Sequence, residues 1–124
     1  MAVPPLHELE SEVMDALWEG GESSVREVMA TLNARPGRER AYTTYMTIMA
    51  RLHKKGVLTR RRVGKSDIYA PALTREEYAS ERAAAEVDGL VEQFGDVALS
   101  HFARQMASLD PARRRELERL AREQ

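Results

Sequence analysis

The chain of 124 residues contains no cysteine. That absence removes disulfides, thiolate metal ligands and thiol redox sensing together, and it fits a reducing compartment. No apolar run approaches the roughly 18 residues needed to cross a bilayer. The opening Met1-Ala2-Val3-Pro4-Pro5 leads at once into acidic amphipathic sequence instead of the apolar core of a signal peptide. The expectation is a cytoplasmic protein without membrane insertion. Glycine-rich phosphate loops, a serine nucleophile elbow and paired carboxylates in an apolar context are all missing, so nothing marks an enzyme. The three histidines, His7, His53 and His101, stand far apart and outside any ligand spacing, so neither a metal nor another cofactor is expected. There is no internal repeat and no low-complexity segment.

What is present is a polarised distribution of charge. The chain as a whole is nearly neutral, with 19 Lys+Arg against 20 Asp+Glu. Residues 1–34, however, carry seven acids and a single base, Arg26, whereas residues 35–65 carry ten bases and a single acid, Glu39. Residues 66–124 return to an acidic balance, with eight bases and twelve acids. A basic block of that density is the electrostatic footprint of a phosphate-binding surface.

Within the block, residues 41–56 read as a helix with two unlike faces. Tyr45, Ile48, Met49 and Leu52 fall at the spacing of a buried stripe. Thr44, Thr47, Arg51 and Lys54 form a second row of hydroxyls and cations, groups that bond to base edges and phosphates. Threonine is a poor helix former, so its clustering there asks for a reason beyond local propensity. Met14, Met29, Met46, Met49 and Met106 are read as core filler, Met46 being also a candidate for contact with a thymine methyl.

Two further helices precede it. Leu6, Leu9, Val13 and Leu17 repeat at helical spacing from Leu6 to Trp18, between Pro5 and Gly20-Gly21. Ser24-Val25-Arg26-Glu27 has the form of a capping box, opening a helix that ends near Asn33 before the turn Arg35-Pro36-Gly37-Arg38. Gly56 closes the basic helix as a left-handed cap. Residues 57–63 are then strand-like, Gly64-Lys65-Ser66-Asp67 supplies turn residues, and Ile68-Tyr69-Ala70 returns as a partner strand, with Leu58 and Tyr69 as inward anchors. Three helices and a hairpin bearing Arg60, Arg61, Arg62 and Lys65 make a winged helix-turn-helix, mainly α, in which the wing grips backbone beside the recognition helix. This assigns residues 1–72 to a DNA-binding domain. A protein-interaction module of the same fold, and a regulator sensing a small molecule between wing and arm, remain alternatives.

Residues 73–124 read as a helical dimerisation arm. Thr74-Arg75-Glu76-Glu77 is a second capping box, and the helix it opens carries Ala83, Val87, Leu90 and Phe94 along a seam, with Tyr78, Ala79 and Val91 beside it. Leu99, Phe102, Ala103, Met106 and Leu109 form a second apolar face, and Asp110-Pro111 caps a last helix with Leu117, Leu120 and Ala121 on one side. Such short helices bury little alone; folding back onto the winged helix is the alternative to pairing with a second copy. The acids of the first helix and of the arm are read as solvated faces or intersubunit ion pairs.

The order of these segments closely resembles the BlaI/MecI family of bacterial penicillinase repressors. The resemblance is carried by Glu8 to Trp18, Ser24-Val25-Arg26-Glu27-Val28, the whole of Ala41 to Gly56, and Tyr69-Ala70-Pro71. It implies a homodimeric repressor on a palindromic double-stranded operator, inactivated when a membrane-bound sensor metalloprotease cuts the arm. By the same resemblance Thr43, Thr44, Thr47 and Arg51 are the groove readers, Arg60 to Arg62 with Lys65 are the wing, and the cleavable peptide corresponds to Val97–Arg104 with its cut at His101-Phe102. His101 stands where the family pattern has Asn.

Overall fold

The computed structural model describes residues 3–37 and 39–123. Arg38, the last residue of the expected turn and one of the ten bases of the central block, lies outside the described residues, as do Met1 and Ala2 of the opening segment. The chain divides into two compact units, Met1–Ala83 and Ala84–Gln124. The sequence reading sets the boundary at 72/73; the compact units part inside a helix, after Ala83.

The first unit contains three helices, α1 (Glu8–Gly20), α2 (Val25–Asn33) and α3 (Tyr42–Lys54), and three strands, β1 (Ser23–Ser24), β2 (Leu58–Val63) and β3 (Ser66–Pro71). Helix α1 starts two residues later than its apolar periodicity suggests, because Glu10 reaches back to accept the His7 amide at 2.9 Å and fixes His7 as the cap. At α2 the capping box forms as read: the Ser24 hydroxyl accepts the Glu27 amide at 3.2 Å, and the Glu27 carboxylate accepts the Ser24 amide at 2.9 Å. Helix α3 ends in a Schellman motif. Gly56, with φ of 85°, donates its amide to the His53 carbonyl, and Val57 donates to Leu52 at 3.1 Å. Leu52 and Val57 are both buried, supplying the apolar contact that accompanies this cap.

The sheet order is β1-β3-β2, antiparallel throughout. The two-residue strand β1 is an addition to the expected hairpin, and it pairs Ser23 with Tyr69 and Ser24 with Ile68. The hairpin itself is tighter than the turn composition suggests. Val63 pairs with Ser66, leaving only Gly64-Lys65 as the connection. Gly64 takes φ of 61° while no other residue type adopts a positive φ among the described residues, the pattern of a type II′ turn with glycine at its first central position.

The core of this unit joins Val13, Met14 and Leu17 of α1, Val28 and Leu32 of α2, Tyr45, Met49 and Leu52 of α3, and Leu58 and Tyr69 of the hairpin. Each such side chain contributes about 1.5–3 kcal/mol by leaving water. Leu58 and Tyr69 are thus the inward anchors expected from the pattern. Helix α4 (Arg75–Phe94) opens with the Thr74–Glu77 capping box, at 2.9 and 3.0 Å. Its first two turns belong to the first unit. Tyr78, expected beside the arm seam, packs instead on the core, 5.7 Å from the Trp18 ring, and donates its hydroxyl to the Pro4 carbonyl at 3.1 Å. Burial raises the Tyr78 pKa above its ordinary value. The indole of Trp18 donates to the Leu73 carbonyl at 2.9 Å, and Arg82 donates to the Val3 carbonyl at 2.9 Å.

The second unit holds the rest of α4 with α5 (Asp96–Ala107) and α6 (Pro111–Arg122). Asp110 caps α6 by accepting the Ala112 amide at 2.9 Å, with Pro111 in the first turn where its missing amide costs nothing. No helix among the described residues is long and apolar enough to cross a membrane.

Candidate nucleic-acid interface

Helix α3 is placed by the segment that precedes it. The Asn33 side chain donates to the Arg40 carbonyl at 2.9 Å while its Oδ1 accepts both the Arg40 amide at 3.0 Å and the Tyr45 hydroxyl at 2.7 Å. One amide side chain therefore fixes the end of α2, the turn and the first half of α3 together. Arg35 and Arg40 lie 3.8 and 3.9 Å from the two oxygens of Glu12, tying the same turn to α1.

The far end of α3 is fixed by a buried ion pair. Glu10 is 1% exposed, and its two carboxylate oxygens accept from Lys55 Nζ at 2.9 and 2.7 Å. Burial alone would push the Glu10 carboxyl up. The Lys55 ammonium and the His7 amide outweigh it and hold the group below its ordinary value. This corrects the reading of the α1 acids as solvated or intersubunit for Glu10, which is internal, and Glu12, which faces the turn; Asp15 and Glu19 are exposed, 3.3 and 3.6 Å from Arg75.

With both ends fixed, α3 buries Tyr45, Met49 and Leu52 and turns its other side outward. Thr43, Thr47, Arg51 and Lys54 are exposed, Thr44 is half-buried, and none of Arg51, Lys54, Arg60 or Lys65 makes an ion pair among the described residues. Met46 stands on the same outward side, 45% exposed, and so is not core filler.

The three wing arginines do not form one group. Side chains alternate along a strand, so Arg60 and Arg62 share the face of Leu58 and Arg61 takes the opposite one. Arg61 Nη2 donates to Glu22 at 2.6 Å, lowering the carboxyl and raising the guanidinium through that hydrogen bond. Arg62 lies 3.3 Å from Asp67, its cross-strand partner. Lys65 sits at the tip of the hairpin. Arg62 and Lys65 line a cleft of about 250 Å³ whose other wall includes Tyr42 and Met46 of α3 and Arg26 of α2, so wing and helix share one concave, basic surface. Arg26 places its guanidinium 4.8 Å from the centre of the Tyr42 ring. The signal for it in the sequence is its isolation as the one base of the first 34 residues.

The residues expected to pair copies lie on α4 and α5. Val87, Leu90 and Phe94 on α4 are 43, 41 and 51% exposed, Ala83 is exposed, and Val91, Phe102 and Met106 are half-buried. Within the second unit Leu90, Phe94, Val97, Ala98, His101 and Phe102 line a cavity of about 250 Å³ with no polar wall. His101-Phe102 lies inside α5, with His101 exposed. Among the described residues no three His, Asp or Glu side chains converge as a metal site would require.

Comparison with known proteins shows the family. Two curated relatives, the transcriptional regulator BlaI from two strains of Mycobacterium tuberculosis, are 39% identical over 108 residues, covering 83% of this chain and 75% of theirs. The solution structure of the DNA-binding domain of the repressor BlaI superposes with a TM-score of 0.53 at 28% identity, covering 63% of this chain and 94% of that one. The solution structure of monomeric Bacillus licheniformis BlaI in complex with the blaP half-operator gives 0.51 at 28% identity, covering 61% and 90%. The penicillinase repressor family model matches residues 6–123. The chain therefore belongs to the penicillinase repressor family, whose members are transcriptional repressors and not enzymes.

Proposed function

We propose that this chain is a transcriptional repressor that binds double-stranded operator DNA through α3 and the wing. The observation that carries the reading is the outward face of α3, where Thr43, Thr47, Arg51 and Lys54 are exposed beside a basic cleft while the nearby acids Glu10, Glu12 and Glu22 are engaged by Lys55, Arg35 and Arg61. A helix of about 10–12 Å diameter fits the B-DNA major groove. There a guanidinium such as that of Arg51 can bond to guanine O6 and N7, threonines bond to either base, and Met46 meets a thymine methyl. Lys54, Lys65 and the wing arginines supply phosphate contacts, which set affinity and register without reading sequence.

Operator binding by a homodimer follows from the same economy. A single α3 reads too few base pairs to be selective, and two linked copies read half-sites about one helical turn apart. The apolar residues Val87, Leu90, Val91 and Phe94, with Phe102 and Met106, are the surface that a second copy covers. Release by a membrane-bound sensor metalloprotease cutting at His101-Phe102 would require α5 to open, since that bond sits in helical backbone. The family's proteolytic switch thus enters as loss of the arm and with it of the second half-site.

The test is selection of duplexes from fragmented genomic DNA by the purified protein at salt high enough to suppress non-specific binding. Recovery of a few promoters sharing an inverted repeat is the expected result. Recovery of nothing above background, with no salt-dependent binding at low salt, would assign α3 to a protein partner.

A further inference from the structure

Arg26 occupies the second position of α2, the end of a helix at which a cation is disfavoured by the macrodipole. Among the described residues no acid accounts for it. Glu27, its neighbour, is used by the Ser24 amide, and Glu22 is held by Arg61. Arg26 makes no ion pair among the described residues. Its guanidinium lies instead over the ring of Tyr42, the first residue of the recognition helix, at 4.8 Å. A guanidinium held over an aromatic face by cation–π attraction keeps N–H donors with which to bond a further group. The cleft that Arg26 lines also holds Arg62 and Lys65, against which Asp67 is the one carboxylate. It runs between the start of α3 and the tip of the wing, where a DNA strand must pass if the helix enters the major groove and the wing reaches the neighbouring backbone.

We infer that this cleft seats a phosphate of the DNA backbone, and that Arg26, held in place by Tyr42, donates to it. The inference rests on the DNA-binding reading and adds to it a residue on α2 outside the recognition helix and the wing. A guanidinium ordered before binding loses little rotamer freedom on contact, so the interaction should be stronger than that of a freely moving surface lysine. Because the bonded group is a phosphate, the effect of Arg26 should be blind to base sequence.

The experiment measures binding of the full chain to an operator duplex recovered by selection and to a random duplex of equal length, by fluorescence anisotropy between 50 and about 200 mM salt. Arg26→Gln is expected to weaken both duplexes by the same factor, about tenfold for each bound copy, as for loss of one charge-assisted bond per copy. It should also reduce the slope of log affinity against log salt by about 0.9 for each bound copy, about 1.8 for a dimer. Arg26→Lys should keep the slope, and Arg113→Gln on α6, an equal change of net charge elsewhere, should leave both quantities unchanged. Thermal unfolding of each variant separates loss of contact from loss of fold. An unchanged slope in Arg26→Gln while the wild-type protein binds, or an equal change in Arg113→Gln, would overturn the assignment of Arg26. Failure of the wild-type protein to bind either duplex would instead overturn the DNA-binding reading itself.

Discussion

Replacing Lys55 by methionine should expose how much the fold relies on one internal charge pair. Glu10 is 1% exposed and its carboxylate is bonded by Lys55 Nζ at 2.7 and 2.9 Å and by the His7 amide at 2.9 Å. In Lys55→Met the carboxylate keeps only the amide, and stranding a buried charge costs about 3–5 kcal/mol. We expect about 3 kcal/mol at neutral pH, the lower end, because one hydrogen bond survives. The pH dependence gives the sharper test. In the wild-type protein the Glu10 carboxyl is held below its ordinary value of 4.5, so its contribution is present above that value and is lost as the pH falls through the folded one. In Lys55→Met, burial acts unopposed by the ammonium and moves the group upward. The penalty is then fully present at neutral pH and shrinks as the pH falls and the carboxyl takes up its proton. Glu10→Gln should cost less, about 1–2 kcal/mol, since the Lys55 side chain is 24% exposed and can return its ammonium to water. The double variant Glu10→Met, Lys55→Met should fall within about 1 kcal/mol of wild type. Urea unfolding at fixed protein concentration, from pH 4 to about 8, measures all four. A Lys55→Met penalty below about 1 kcal/mol, or one that does not change with pH, would refute the account.

Three other perturbations probe the remaining elements. Arg51→Ala should weaken operator binding by about 1–3 kcal/mol while leaving the unfolding midpoint in place, because Arg51 lies on the exposed face; equal binding to the selected operator in a titration would remove it from the reading surface. Leu90→Asp should yield monomers in sedimentation and lose operator binding through a charge placed in the pairing surface; a persisting dimer would show that pairing uses other residues. Asn33→Ala removes the acceptor shared by the Arg40 amide and the Tyr45 hydroxyl and should cost about 2 kcal/mol in thermal or urea unfolding, while a loss under about 0.5 kcal/mol would mean that the turn is held by the Arg35 and Arg40 pairs with Glu12.

The elements that could be read from the chain are those whose determinants are local. Ser24 with Glu27, Thr74 with Glu77, and Asp110-Pro111 each stop or start a helix through groups within three residues of one another, so spacing alone reveals them. The buried stripe of α3 and its polar row follow from one period. Glu10 escapes such a reading for the opposite reason. Its partner lies 45 positions away, and an acid in an amphipathic helix carries no mark of being internal until the C-terminal turn of α3 is placed against it. The same applies to Asn33, whose partners Arg40 and Tyr45 meet only after the turn forms, and to β1, too short to show any alternation and stabilised only by the edge of β3. Arg61 and Arg62 are neighbours in a basic run, yet pleating sends them to opposite faces and to different carboxylates. Tyr78 fits the periodicity of α4 equally well as arm or as core, and the aromatic contact with Trp18 decides it.

The chain has a single tryptophan, and its position gives the protein an internal optical gauge. Trp18 is bonded through its indole N–H to the Leu73 carbonyl, lies 5.4 Å beneath the Arg75 guanidinium and 5.7 Å from Tyr78, all of them at the root of α4. No tryptophan lies in α3 or in the wing, so emission from this protein carries no direct signal from a groove-bound surface. Its wavelength and intensity track whether the start of α4 is seated. A spectral change on adding DNA would accordingly mean that events at the reading surface are felt where the arm is rooted, and a silent spectrum would mean that this root is rigid through the encounter.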